Sequence, residues 1–219
     1  VQPVSYPNMI CMFARAHFLT QDLNSFFFAY YVTYVVDAED QLEVALILYI
    51  VSGIMCIPVW VQISKRIEKH YLIKFAMAMQ SILLLIAYVV GKDISFTTYA
   101  VLVAFAGVSF GAFGVFKSSM LADIVDILEN SQEEMRCEGE IQGIFDLCGK
   151  CTSALLVGPA LITLDYVGYQ PNEQQPQGSI TAILMFYSLV PGALGMIAFW
   201  IILQCKITKS NLENLPYFK

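Results

Sequence analysis

Apolar residues in this chain come in long runs broken by short polar stretches, and run length is the first constraint on structure. Residues 44–64, 94–116 and 174–205 contain no charged side chain. A bilayer core is about 30 Å thick, so a spanning helix rising about 1.5 Å per residue needs about 20 apolar residues. Six segments meet or approach that length: 13–36, 42–62, 72–90, 97–120, 142–164 and 180–204. Turn residues punctuate the gaps at 37–41, 91–95 and 168–178, the last with Pro171 and Pro176. The pattern predicts an all-α integral membrane protein: residues 13–205 as a six-helix bundle, with 1–12 as the end of a linker and 206–219 as a tail.

Composition agrees with that pattern. The 219 residues are 58% hydrophobic and 14% charged, whereas an ordinary soluble domain carries roughly 25% charged residues. A soluble bundle would need a polar face on each helix, and these runs lack one. The net charge of −6 excludes a nucleic-acid partner, which calls for a basic patch. Most of the six cysteines lie in or beside apolar runs, where the residue acts as a small hydrophobe. The chain opens on Val1 without a signal peptide, as a piece of a longer protein would.

Lysine and arginine set the orientation. Lys65, Arg66, Lys69, Lys74, Arg136, Lys206, Lys209 and Lys219 fall on one side; the other side has Lys92 among Asp37, Glu39, Asp40, Asp93, Asp165 and Glu173. Positive loops stay cytoplasmic, so both termini are expected there. Six spans with both ends inside match one half of a twelve-helix transporter.

Few residues are placed to carry chemistry. Lys150 lies about 12 Å into the fifth span, where an ammonium costs several kcal/mol unless it is paired or meets water. Asp146, one turn earlier, can pair with it. Gly143, Asp146, Lys150 and Ser153 share a helical face that is expected to line a polar cavity; the alternatives are a structural ion pair or a snorkelling lysine. In the first span Asp22, Ser25, Ala29 and Thr33 make a small polar stripe, opposite Phe27, Tyr31 and Tyr34. Asp22 suits a cation, a proton or a substrate hydroxyl, or equally a basic partner on another helix. Gly107, Gly111 and Gly114 recur on one face of the fourth span and predict close helix packing. Pro58 and Pro191 are expected to weaken their helices locally. Cys148 and Cys151 form a C-x-x-C pair with no second pair or histidine cluster beside it, and no catalytic motif occurs, so no enzyme activity is expected.

Leu121-Ala122-Asp123-Ile124-Val125-Asp126, then Arg136-Cys137-Glu138-Gly139, Lys150 and Gly168-Tyr169 resemble the carboxyl half of the glycoside–pentoside–hexuronide:cation symporters. These are the melibiose-carrier branch of the major facilitator superfamily. Tyr30-Tyr31-Val32-Thr33-Tyr34-Val35 resembles the end of that family's seventh helix, and Pro58-Val59-Trp60 with Lys65-Arg66 its eighth helix and basic loop. Leu164-Asp165-Tyr166-Val167-Gly168-Tyr169-Gln170, with Gln175-Pro176, is more similar to the animal sodium-dependent lysophospholipid symporters. Departures stand beside the match: Lys65 and Glu68 replace the usual aspartate and glycine of the basic loop, and Lys117 replaces an uncharged position. The lysolipid carriers place a glutamate near Ser25, where the nearest acid here is Asp22.

The resemblance implies that the six spans are helices 7–12 of a symporter that moves a sugar or lysophospholipid by alternating access. Lys150 would match the family's central-cavity lysine, and Asp123, Asp126, Arg136 and Glu138, in an acidic loop over 123–140, would form a cytoplasmic gate. It also implies a missing amino-terminal six-helix half as partner, a plasma-membrane setting, no cofactor, and Na+ or H+ as coupling ion. Two rivals remain at this point: an inactive half-transporter serving as scaffold or receptor, and a membrane redox enzyme.

Overall fold

The computed structural model describes residues 21–91, 94–131, 138–171 and 175–204. Arg136 and the end segments 1–12 and 206–219 lie outside the described residues, as do the side chains of Lys117, Asp123, Asp126 and Glu138. Every long element among the described residues is helical. Helix α1 covers residues 21–34; α2 is Leu42–Ser64, α3 Lys69–Val90, α4 Phe96–Ser131 and α5 Glu138–Tyr166. The final rod has two parts, α6 (Gln177–Leu184) and α7 (Val190–Gln204), joined by a π turn at Met185–Leu189.

Among the described residues, four helical stretches are long and apolar enough to cross a membrane: Glu39–Ser64, Tyr71–Val90, Phe96–Phe116 and Gln177–Trp200. They correspond to the second, third, fourth and sixth predicted spans. The first is described only from residue 21. The fifth, α5, has 29 residues but carries Glu138, Glu140, Asp146 and Lys150 in its first half. In hydrocarbon the helix is favoured because it satisfies its own backbone groups. Outside the spans the chain turns at Gly91 and Gly168, whose φ angles of 58° and 80° suit a residue without Cβ.

The segment over 123–140 was expected as a loop, but α4 continues to Ser131, so Asp123 and Asp126 lie on helical backbone and Glu138 opens α5. At 36 residues α4 is about 54 Å long, well beyond a bilayer core. Leu121, Ile124, Val125 and Leu128 recur at helical spacing with no glycine or proline between them, so nothing stops the helix where hydrophobicity falls.

Helices α2 and α4 cross where glycines remove side chains. A Cβ on Gly107 would overlap the Tyr49 carbonyl and Ser52 Oγ, and one on Gly111 would overlap the Gly53 carbonyl. Conversely, a Cβ on Gly53 would sit 2.9 Å from the Gly107 oxygen. Gly114 does not share this contact: a Cβ there would meet nothing within 4 Å. Trp60 and Phe116 meet edge to face at 6.1 Å, and Trp60 Nε1 donates to the Val108 carbonyl at 3.0 Å. These rings belong to one apolar cluster with Ile73, Met77 and Ala198; a second gathers α1, α5 and α6 around Phe27, Tyr31, Leu164 and Ile183. Ile47, Ile54 and Met55 of α2 point out of the bundle, as lipid-facing residues do.

Because the Gly107 methyl has backbone on its far side, Gly107→Ala is expected to destabilise the bundle by about 1–3 kcal/mol. Gly114→Ala is expected to stay within about 0.5 kcal/mol. Thermal unfolding of the detergent-solubilised protein measures both.

Candidate functional site

Helix α1 has two unlike sides. Phe27 and Tyr31 are 0% exposed. Tyr31 stacks on Tyr187 with centroids 4.0 Å apart, and its hydroxyl donates to the Ala87 carbonyl of α3 at 3.3 Å. Tyr187 in turn shares a 3.0 Å hydroxyl contact with Tyr99 of α4. Gln21 Nε2 donates to the Tyr49 hydroxyl at 2.6 Å, which adds α2 to the contacts. Aromatic area and hydroxyl handles together fix this side into the bundle.

The other side is the predicted polar stripe, and it is open. Ser25 and Ala29 are exposed, Asp22 and Thr33 half-buried. The aromatic side therefore faces neighbouring helices, and the small polar side faces out of the bundle.

Helix α5 closes on one edge of that stripe. Ser153 Oγ donates to Asp22 Oδ2, bringing together two residues that are 131 positions apart. Lys150 precedes Ser153 by three residues, hence about 4.5 Å along the axis on the same face. Lys150 is exposed and Ser153 half-buried, so the face passes from the Asp22 contact to an open ammonium within one turn. Asp146, half-buried, takes a different partner from the one the spacing suggested: Gln142 Nε2 donates to its Oδ2 at 2.7 Å. Among the described residues no carboxylate pairs with Lys150.

At the Tyr34 end the face is bordered by rings. Tyr169 packs edge-on against Tyr30 and Tyr34, each at 5.6 Å, and donates from its hydroxyl to that of Tyr34 at 3.2 Å. Partial burial, followed by that hydrogen bond, pushes the Tyr169 phenol above its ordinary value, so it stays neutral at physiological pH.

Thus Asp22, Ser25, Thr33, Ser153 and Lys150 are gathered at one open face. Asp146 lies beside it with Gln142, Gly107 and Gly111 serve the α2–α4 crossing, and Gly114 does neither. Asp123 and Asp126 lie far along α4 from that crossing. Cys151 is a free, exposed thiol. Sequence reasoning missed Asn24, Gln142 and Tyr187. Asn24 was detectable in principle: it is a polar residue on the same helical side as Phe27 and Tyr31, which is the buried side.

The helical architecture accords with the comparisons to known proteins. The family described as MFS/sugar transport protein matches residues 9–209. The chicken (Gallus gallus) sodium-dependent lysophosphatidylcholine symporter 1 is 28% identical over 169 residues, covering 76% of this chain and 32% of the relative. The chain spans about a third of that relative's length.

Removing an aromatic ring from the packed side and a hydroxyl from the open side should have unequal effects. Tyr31→Ala is expected to cost about 3–5 kcal/mol, by analogy with other large-to-small aromatic truncations. Ser25→Ala is expected to remain within about 0.5 kcal/mol. Unfolding midpoints in one detergent compare the two directly.

Proposed function

The chain belongs to the MFS/sugar transport protein family, and from that premise we propose that it is the carboxyl-terminal six-helix half of a cation-coupled symporter. Family membership makes it an integral, multi-pass membrane protein of transport rather than catalysis. In the proposed reading, residues 13–205 form the bundle, with α1 to α5 and the α6–α7 rod as helices 7–12. Residues 1–12 and 206–219 lie in the cytoplasm, and the protein sits in the plasma membrane. An amino-terminal six-helix half, which is not in this chain, packs against the open face of α1 and α5.

The observation that carries this reading is the open polar face itself. A half-buried carboxylate held by Ser153 and an exposed ammonium one turn away are costly if they face lipid, and are accounted for if they face a water-filled crevice between two bundles. Such midplane crevices are where secondary transporters bind substrate and ion. Each group has a chemical role there. Asp22 Oδ and Ser153 Oγ are hard oxygen donors of the kind that small hard cations prefer. Lys150 offers three donors and a positive charge to an anionic group on the substrate. Ser25 and Thr33 present hydroxyls along the wall, and Phe26, exposed beside Ser25, presents an apolar surface.

This mixture suits an amphiphile with an anionic head better than a sugar. The relative's dependence on sodium and its lysophosphatidylcholine substrate, as its name states them, support sodium over a proton and a lysolipid over a hexose for this protein as well. Rocking of one bundle against the other would expose the face alternately. The far end of α4 and the start of α5, with Asp123, Asp126, Arg136 and Glu138, would meet the other half at the cytoplasmic gate.

The test is sodium-dependent uptake by the full-length protein, comparing a labelled lysophospholipid with a labelled sugar. Lysolipid uptake is expected and sugar uptake is not. Lys150→Ala is expected to reduce coupled uptake at least about tenfold, a loss of about 1.4 kcal/mol or more in the rate-limiting interaction, with surface protein unchanged. Normal uptake by that variant would remove Lys150 from the site.

A further inference from the structure

The last rod contains a break where proline removes a donor from its ladder. In an α-helix the Tyr187 carbonyl would accept from the N–H of residue 191, and that residue is Pro191, which has none. Just before it the chain winds as a π turn, with the Val190 N–H reaching back to the Met185 carbonyl. The Ser188 hydroxyl bonds the Leu184 carbonyl at 2.5 Å. A donor from another helix reaches the Tyr187 carbonyl: Asn24 Nδ2, at 3.0 Å, from a side chain only 7% exposed.

Resting on the transport reading above, we propose that Asn24 is a positioning residue for the cation and substrate face. Its amide supplies the donor that Pro191 lacks, and in doing so it sets the register of α1 against the π turn. The geometry makes this more than local repair. Tyr187 is gripped twice by α1, through its carbonyl by Asn24 and through its ring by Tyr31. Asn24 is two residues from Asp22, on the opposite side of the same helical turn. One turn of α1 is therefore clamped between the π turn on one side and Ser153 of α5 on the other. A slip or rotation of α1 at Asn24 moves the Asp22 carboxylate off Ser153, so the amide governs a cation ligand that it does not touch.

The experiment separates carbonyl satisfaction from positioning by using Pro191→Ala, which returns an N–H to the last rod. In the full-length protein, with its native cysteines replaced, Asp22→Cys and Ser153→Cys form a reporter pair for a short thiol cross-linker. Asn24→Ala is expected to lower the cross-linking rate about tenfold and, with Asp22 and Ser153 intact, to raise the sodium concentration for half-maximal uptake about tenfold, each factor being about 1.4 kcal/mol of lost registration. The double variant Asn24→Ala/Pro191→Ala is expected to recover the protein level in the membrane but neither of those two quantities. If Asn24→Ala alone fails to insert, the double variant carries the test by itself.

The proposal is overturned if cross-linking is insensitive to Asn24, or if the double variant restores cross-linking and sodium dependence together, because Asn24 would then only satisfy a carbonyl. Should the parent protein show no sodium-dependent uptake, the transport reading fails, while the cross-linking still decides the role of Asn24.

Discussion

Within hydrocarbon, a backbone carbonyl left without a donor costs several kcal/mol, and the shape of this bundle follows from how its carbonyls are satisfied. Proline removes donors at Pro58, Pro159 and Pro191, all inside helical rods. Hydroxyls make further bonds to carbonyls within single rods, as Thr163 does to Pro159 and Thr181 to Gln177, both at 2.8 Å. Other donors come from a different helix: Trp60 to Val108, Tyr31 to Ala87 and Asn24 to Tyr187. The local bonds keep each rod intact. The crossing bonds decide where the rods stand, because lipid tails supply little hydrophobic drive between helices.

The two apolar clusters divide that work. Around α2 and α4 the helices approach through glycine, so contact is backbone to backbone and tolerates no added atom at Gly107 or Gly111. Around α1 the approach is through rings, with Tyr31, Tyr99 and Tyr187 forming a stacked and hydrogen-bonded set. Gln80 of α3 and Ser109 of α4 each have a buried oxygen that has no hydrogen-bond partner among the described residues.

What the sequence made legible follows from which signals are periodic. Run length located α2, α3, α4 and the last rod, because a membrane fixes helix length. The stripe of Asp22, Ser25 and Thr33 was legible because small polar residues at helical spacing contrast with rings on the other side. That Ser153 would reach Asp22 was beyond reach: both were candidates, but nothing in a single chain reports which helices lie side by side. Asp146 was matched to Lys150 by spacing alone, and Gln142 satisfies the same spacing on the other side. Gly114 shares the face of Gly107 and Gly111, yet a Cβ there would meet nothing within 4 Å, and spacing along one helix does not report where a neighbour crosses it. The extension of α4 was hidden because hydropathy marks where a membrane ends, not where a helix does. Asn24 was hidden for the opposite reason: its partner is a carbonyl, and carbonyls carry no residue identity.

The two sides of α1 are connected energetically. An open face with a carboxylate and hydroxyls gives α1 little packing of its own, so most of the contacts that hold α1 in place lie on the other side. That side supplies rings, an amide and a phenol hydroxyl, directed at α3, α4 and the π turn. The polar face is thus free of any need to stabilise the fold, apart from the Ser153 contact, which joins Asp22 to α5 without burying it. In the proposed transporter, a face relieved of structural duty can exchange partners, from water to ion to substrate head, while the bundle behind it keeps its register. Moving the aromatic set to the open side would gain nothing in packing and would close the surface to polar ligands. The division of α1 into a fixed side and an open side is therefore the feature that lets one helix serve both the fold and the site.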